Sequence, residues 1–302
     1  MGIVRAYKRY SAAYKNYASV MWALYRKKDL IDVTLRDGSK LSLSPEITFE
    51  LSKLIENGAE VTRESIDKLK ILYGSLKEAV DGKQERIIYQ NNDIIMHGIK
   101  DVGGYFVYEV YIQEDYKFLR VNDMVVIDVG ANIGDSAIYF ALNGARRIIA
   151  LEPHPYLFSF ALRNVRENNL EGKIELLNAG YGHDEEIFVD EIFNPGTELI
   201  PSQNGKKIKI YSLKSLIEKF SVDKVVLKMD CEGCEYNLLD EDNSILAKFS
   251  QIQIEYHYGY ERLVSKLENV GFNVKCTKAR KVLDSKFSNP KLKVGWIYAA
   301  KS

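Results

Sequence analysis

The sequence predicts an α/β fold: a doubly wound, mostly parallel, seven-stranded sheet of Rossmann-like type, preceded by an N-terminal α+β module. Three observations predict it. Short apolar runs alternate with helical patterns from residue 124 to residue 300, as a sheet covered on both faces requires. The first run, Met124–Val129, leads through Asp128 into the glycine loop Gly130-Ala131-Asn132-Ile133-Gly134, and a helical pattern follows. The second run, Arg147–Leu151, ends in Glu152. Strand, glycine loop, helix, strand and acid make the first half of a nucleotide-binding βαβ unit.

The elements follow in order. Strands are expected at 124–129, 147–151, 173–178, 224–230, 250–257, 272–277 and 294–300, the last two as an antiparallel pair. Helices are expected at about 135–143, 155–168, 212–220, 235–248 and 259–270. The insertion Tyr181–Lys209 carries the turn signals Asn194-Pro195-Gly196-Thr197 and Gln203-Asn204-Gly205-Lys206. The second suits a hairpin joining Glu198–Pro201 to Lys207–Tyr211. Upstream, residues 5–28 read as one helix, and Asp32–Leu43 as a hairpin about Asp37-Gly38. Ser44-Pro45 opens a helix to Glu56, with Ser as cap and Pro at the first position. A helix at Arg63–Leu76, a hairpin of Arg86–Tyr89 with Asp93–His97, and a strand at Tyr105–Ile112 complete the module's surroundings. The boundary is soft, between Gly82 and Asp123, giving residues 1–95 as a module of unassigned role and 96–302 as the main domain.

Composition narrows the class. Charge is balanced, 42 basic against 42 acidic residues, so no nucleic-acid partner is expected. Three cysteines argue against a disulfide framework and for a reducing compartment. No apolar run reaches the roughly 20 residues needed to span a bilayer. Lys15 and Asn16 interrupt any signal peptide, so a cytoplasmic protein is expected. Residues 1–28 hold seven basic side chains and no acid, with Tyr7, Tyr10, Tyr14 and Tyr17 in a helical stripe. Packing of that stripe on its own domain is the favoured reading. A homo-oligomer contact and a weak membrane-surface contact stay open.

The glycine loop separates two cofactors. A dinucleotide site wants G-x-G-x-x-G with pyrophosphate at the helix start. Here Gly130 and Gly134 are spaced by three residues, Asn132 lies between them, and Asp128 stands just before. A carboxylate there repels pyrophosphate and suits the amino group of S-adenosylmethionine (SAM). Asp128, Gly130, Asn132, Gly134 and Glu152 are therefore the expected cofactor-binding residues, Glu152 for the ribose hydroxyls. Asn178, ending the third strand, is expected near the adenine.

Lys228, Asp230, Glu232 and Glu235 crowd the end of the fourth strand, costly unless paired or functional. Asp230 is expected to face the methyl donor, with Lys228 neutralising it or orienting the acceptor. Either Glu232 or Glu235 could be structural. Glu255 and His257 share a side at the end of the fifth strand, and His257 is a candidate general base. Asp230, His257, Lys228 and Glu232 make the expected catalytic set. Cys231 and Cys234 invite a metal or redox reading, but a zinc site needs four ligands and only Cys276 and scattered histidines remain, so no metal is expected.

From Val125 onward, about 180 residues, the chain resembles the FkbM family of SAM-dependent methyltransferases. The resemblance rests on Asp128–Gly134, Glu152-Pro153, Leu227–Glu235 and Glu255-Tyr256-His257. The family's K-x-D-x-E-G-x-E pattern keeps every polar position here. A T-L-D-D-like segment common before the fourth strand is replaced by Tyr211-Ser212-Leu213-Lys214-Ser215. The resemblance implies the class I methyltransferase fold, SAM as cofactor and an oxygen acceptor on a sugar, lipid-linked or other small metabolite. An NAD-dependent oxidoreductase and a non-catalytic SAM-binding interaction protein remain as alternatives.

Overall fold

The computed structural model describes residues 3–56, 63–102, 104–190, 203, 205–279 and 292–301. The chain divides into two compact units, Met1–Glu78 with Ile87–Asp93, and Ala79–Arg86 with Ile94–Ser302.

The first unit holds α1 (Ile3–Ala13), α2 (Tyr17–Tyr25), the antiparallel pair β1 (Ile31–Thr34) and β2 (Lys40–Leu43), α3 (Pro45–Glu56) and most of α4 (Arg63–Val80). The single helix expected over 5–28 is broken. Lys15 N–H donates to the Thr34 carbonyl at 2.7 Å, and the Asn16 amide bonds Asp32 O and Thr34 N, at 2.8 and 2.7 Å. These bonds to β1 outbid one helical turn. Half of the tyrosine stripe is core: Tyr10 and Tyr14 are buried, and Tyr14 Oη donates to Thr48 O at 2.6 Å. Tyr7 stays exposed, edge-on to Tyr17. The next hairpin, β3 (Arg86–Tyr89) and β4 (Asn92–Ile95), turns through Gln90 and Asn91 at φ 48° and 67°, the mirror-image turn that fits strand twist.

In the second unit α5 (Ile99–Val102) and α6 (Gly104–Tyr111) precede a short 3-10 turn at Asp115–Phe118. The expected strand at Tyr105–Ile112 is thus helical. Val107, Val110 and Tyr111 are its buried residues, the three-and-four spacing of a helix face. Then come β5 (Val125–Val129), α7 (Asp135–Leu142), β6 (Arg147–Leu151), α8 (Pro155–Glu167) and β7 (Ile174–Leu177). A small sheet of β8 (Ala179–Tyr181), β9 (Glu185–Val189) and β10 (Lys206–Tyr211) follows, with β10 central. The partner of β10 on its antiparallel side is β9. The expected strand Glu198–Pro201 and the Asn194–Thr197 turn lie outside the described residues. The chain continues through α9 (Leu213–Phe220), β11 (Val225–Met229), a 3-10 turn (Cys234–Leu239), α10 (Asn243–Leu246), β12 (Phe249–Tyr256), α11 (Glu261–Val270), β13 (Asn273–Cys276) and β14 (Gly295–Ala300). The helix expected over 235–248 is therefore two short pieces.

The large sheet runs β13-β14-β12-β11-β5-β6-β7, parallel except for β14, which is antiparallel to both its neighbours. This is the doubly wound seven-stranded sheet that the sequence predicts. Every residue of β5 and β11 is buried. The order reverses between β5 and β11, and open α/β sheets bind ligands past the carboxyl ends of such strands. Among the described residues no helix is long and apolar enough to cross a membrane.

Candidate active site

Sheet register places Asp128 of β5 beside Lys228 of β11. Both are buried, 0% and 1% exposed in their side chains, and Lys228 Nζ lies 3.0 Å from Asp128 Oδ1. The same ammonium donates to the carbonyls of Val129 and Gly130 at 3.2 and 2.6 Å. Burial works against its charge, but Asp128 and then Asp230 outweigh burial and hold the lysine above its ordinary value. Asp128 Oδ2 accepts from Ser136 Oγ at 2.7 Å. Asp128 therefore has both oxygens engaged inside the protein. Together with Lys228 it forms a strut under the glycine loop.

Three acids line the adjoining cavity, Glu109, Asp230 and, at the start of α7, Asp135. The Asp135 Oδ1 is buried and meets no hydrogen-bond partner among the described residues. Burial, opposed by Lys228, pushes Asp135 up to about 7. The cavity is also lined by Phe106, Tyr116, Asn132, Lys228 and Trp296.

At its first glycine the loop has no room for a side chain. Gly130 sits at φ +79°, and a Cβ there would lie 1.9 Å from the Asp230 carbonyl oxygen. Gly134 caps α7 at φ +85° against Ala161. Asn132, also left-handed at φ 51°, donates its N–H to Glu152 Oε2 at 2.8 Å. The His154 N–H donates to Glu152 Oε1 at 2.8 Å. Burial nevertheless pushes Glu152 up to about 8 against these two bonds, so further donors would favour its ionised form. Asn178 Nδ2 donates to the carbonyls of Glu152 and Pro153 at 3.0 and 3.1 Å, bracing the end of β6.

At the end of β11, burial would raise Asp230, but Lys228, a hydrogen bond with Glu255, His257 and Tyr116 hold it below the usual carboxylate range. Tyr116 Oη donates to Asp230 Oδ2 at 2.8 Å, and its ring lies 5.2 Å from Lys228 Nζ. Glu255 pays for that arrangement: burial first, then the Asp230 charge, push it well above the carboxylate range, so it holds a proton. Glu235 is fully buried and accepts from Gly233 N, His257 N and His257 Nδ1 at 2.9, 2.9 and 3.0 Å. His257 Nε2 lies 3.2 Å from Glu232 Oε2. Burial opposes protonation of His257, yet Glu235 and Glu232 raise it to about 9. The expected general base is thus an imidazolium near neutrality, a charge partner for the acids around it. Cys231 and Cys234 are joined in a disulfide across the Glu232-Gly233 turn, contrary to the expectation from cysteine count; Cys276 is free and exposed.

Residues 128–274 match the profile of the methyltransferase FkbM domain. Over these residues the chain is similar to the methyltransferase FkbM domain. The chain is 26% identical over 154 residues to tRNA(Phe) (4-demethylwyosine(37)-C(7)) aminocarboxypropyltransferase of Pyrococcus horikoshii, covering 48% of this chain and 54% of that protein. It is 29% identical over 143 residues to the uncharacterized protein 158B of Sulfolobus islandicus rod-shaped virus 1, covering 47% and 66%. The chain thus spans about half to two thirds of the length of these relatives. Among solved structures it is similar to M. jannaschii TYW2 in complex with AdoMet, with a TM-score of 0.41 and 16% identity, covering 72% of this chain and 86% of that one.

The cofactor of the FkbM domain is SAM, and the residues present fit it. The bare backbone at Gly130, the buried Glu152 short of donors and the unpartnered Asp135 oxygen are complementary to a ribose diol and an ammonium group. Sequence reading did not find Asp135, Ser136 or Tyr116. Asp135 immediately follows Gly134, at the first turn of a helix, where an acid is an ordinary choice. Tyr116 comes from a turn with no spacing signal, although the aromatic density of Tyr105–Phe118 marks the segment.

Proposed function

We propose that the chain is a SAM-dependent methyltransferase that methylates a hydroxyl on a sugar, lipid-linked or other small metabolite. The observation that supports it best is Asp230: an ionised carboxylate lining the cavity beside the glycine loop, fixed by Lys228 and Tyr116. When bound, SAM supplies a methyl group activated on a sulfonium.

The chain's own residues do the rest. Glu152 receives ribose hydroxyls, and Asp135 receives the ammonium that Asp128 is too deeply engaged to reach. Asp230 Oδ accepts the acceptor hydroxyl's proton. Lys228 and His257 keep Asp230 ionised, and the protonated Glu255 keeps a second carboxylate neutral beside it. Phe106, Tyr116 and Trp296 give the cavity apolar walls that exclude water and favour attack geometry. Asp135, Asp230 and Glu109 on the same walls disfavour a phosphate at the transfer point. That supports a small, uncharged or cationic acceptor over a nucleic-acid backbone.

The test is transfer of a tritiated methyl from SAM to a panel of sugars, glycolipids and small alcohols, with bulk tRNA alongside. Label in a hydroxylated small molecule, as a base-stable ether, supports the reading. Label in tRNA alone overturns the acceptor class, and SAM binding without any turnover favours a non-catalytic role. In the first unit, Trp22 and Tyr25 are exposed and stacked, with Arg26 over the Trp22 ring. This patch is where the oligomer or membrane-surface contact of residues 1–28 would form.

A further inference from the structure

We propose that Asp230, Glu255 and His257 form a site for one divalent cation, Mn2+ or Mg2+, at the carboxyl ends of β11 and β12. The site deepens the methyl-transfer reading and rests on it for its purpose, though not for its existence. One ligand atom from each of the three residues lies within 4.8 Å of the others. An octahedral ion with bonds of about 2.1 Å holds its ligands about 3–4 Å apart, so small side-chain shifts close the set. Glu255 and His257 stand two apart on one strand, and Asp230 ends the neighbouring strand.

Acids gathered at a strand end are not a metal site by themselves. Two further features distinguish this cluster. One is the imidazole. Fully buried Glu235 takes the His257 N–H at 2.9 Å and Nδ1 at 3.0 Å, which leaves Nε2 as the atom facing Glu255 at 3.7 Å and Glu232 at 3.2 Å. A carboxylate behind the distal nitrogen is how proteins hold metal-ligating histidines. The other is Asp135. It is 3% exposed, one of its oxygens meets no partner among the described residues, and it lines the same cavity as Asp230. Asp135 therefore adds an acid with an unpartnered oxygen to the wall that Asp230 shares.

The ligand set is two hard carboxylates and one imidazole, which suits Mn2+ first and Mg2+ second. The cation's remaining positions would hold water or an acceptor oxygen and make the proton on that oxygen easier to remove.

The experiment titrates the full chain with MnCl2, without SAM or acceptor, following free Mn2+ by electron paramagnetic resonance. One saturable site per chain is expected. Asp230→Asn and Glu255→Gln should each weaken it at least tenfold, with folding confirmed by circular dichroism. A measurement on the unaltered protein guards against variants that fail to fold: bound Mn2+ should broaden the His257 ring resonances ahead of those of His97, His154 and His183. No saturable binding, binding indifferent to both substitutions, or broadening centred on another histidine overturns the proposal. A parallel SAM titration separates the two readings. Mn2+ binding without SAM binding keeps the cation site and sinks methyl transfer; SAM binding without Mn2+ binding does the reverse.

Discussion

Replacing Lys228 by methionine keeps much of the side chain's length and removes its charge. In the folded protein that charge lies 3.0 Å from Asp128 and donates to two carbonyls, Val129 O and Gly130 O. Asp128 is 0% exposed, so no water replaces the lost partner, and only the Ser136 hydroxyl still donates to it. Removing one partner of a buried ion pair costs about 3–5 kcal/mol, far more than the pair itself contributes over an apolar substitute. For a unit of this size each kcal/mol moves Tm by about 2–4 °C, so Lys228→Met should lower Tm by roughly 6–20 °C. The deficit should shrink on acidification, because protonating the stranded carboxylate removes the buried charge. Asp128→Asn combined with Lys228→Met should recover a large part of the loss, a coupling of kilocalories that only contacting residues show. Melting followed by circular dichroism at pH 5.5 and 7.5 reads all three effects. A drop under about 2 °C, or a double variant whose loss equals the sum of the singles, would refute the buried strut.

Further outcomes follow from the same geometry. Gly130→Ala should cost at least about 2 kcal/mol and abolish SAM binding by calorimetry, because its backbone is left-handed and its Cβ would meet the Asp230 carbonyl. Glu152→Ala should weaken SAM about tenfold or more, as loss of a charge-assisted hydrogen bond costs ~1.5–3 kcal/mol; equal affinity would remove Glu152 from the site. Glu152 and Asp135 are raised to about 8 and about 7, above their unfolded values. The folded state thus holds protons that the unfolded chain releases, and these two groups take stability away as pH climbs from about 4.5 to 8. SAM wants both ionised, so its affinity should rise between pH 6 and 7.5 with proton release; a flat profile would contradict that. Asp230→Asn should leave SAM binding within a few fold and lower kcat about 10²-fold on an identified acceptor. Trp22→Ala should lower solution mass by light scattering or weaken salt-sensitive binding to anionic vesicles; no change in either removes the surface patch from any contact.

The large sheet was legible because a buried parallel strand leaves an unmistakable apolar run, and β5 and β11 are buried at every position. Tyr105–Ile112 suits a strand by its alternation, yet the apolar residues around Glu109 satisfy the helical period as well, and packing of Val107, Val110 and Tyr111 chooses the helix. The break between α1 and α2 depends on bonds from Lys15 and Asn16 to a hairpin that local pattern cannot see. In the site, the residues come together much as their motifs announce, but their tasks change with partners. Asp128 reads as a ligand and stands paired with Lys228, its register neighbour on the next strand. His257 reads as a base and carries a proton, because Glu235 lies behind it. Such pairings are set by which strands adjoin, and that is tertiary information.

The central claim is that the crevice at the β5–β11 switch is a SAM site. Calorimetric titration of the full chain with SAM, its demethylated product and NAD tests it most directly. The geometry predicts dissociation constants in the micromolar range for the first two, about −8 kcal/mol, with Glu152→Ala weakening both and NAD failing to compete. Tighter binding of NAD than of SAM, or SAM binding unmoved by Glu152→Ala and Gly130→Ala alike, would contradict it.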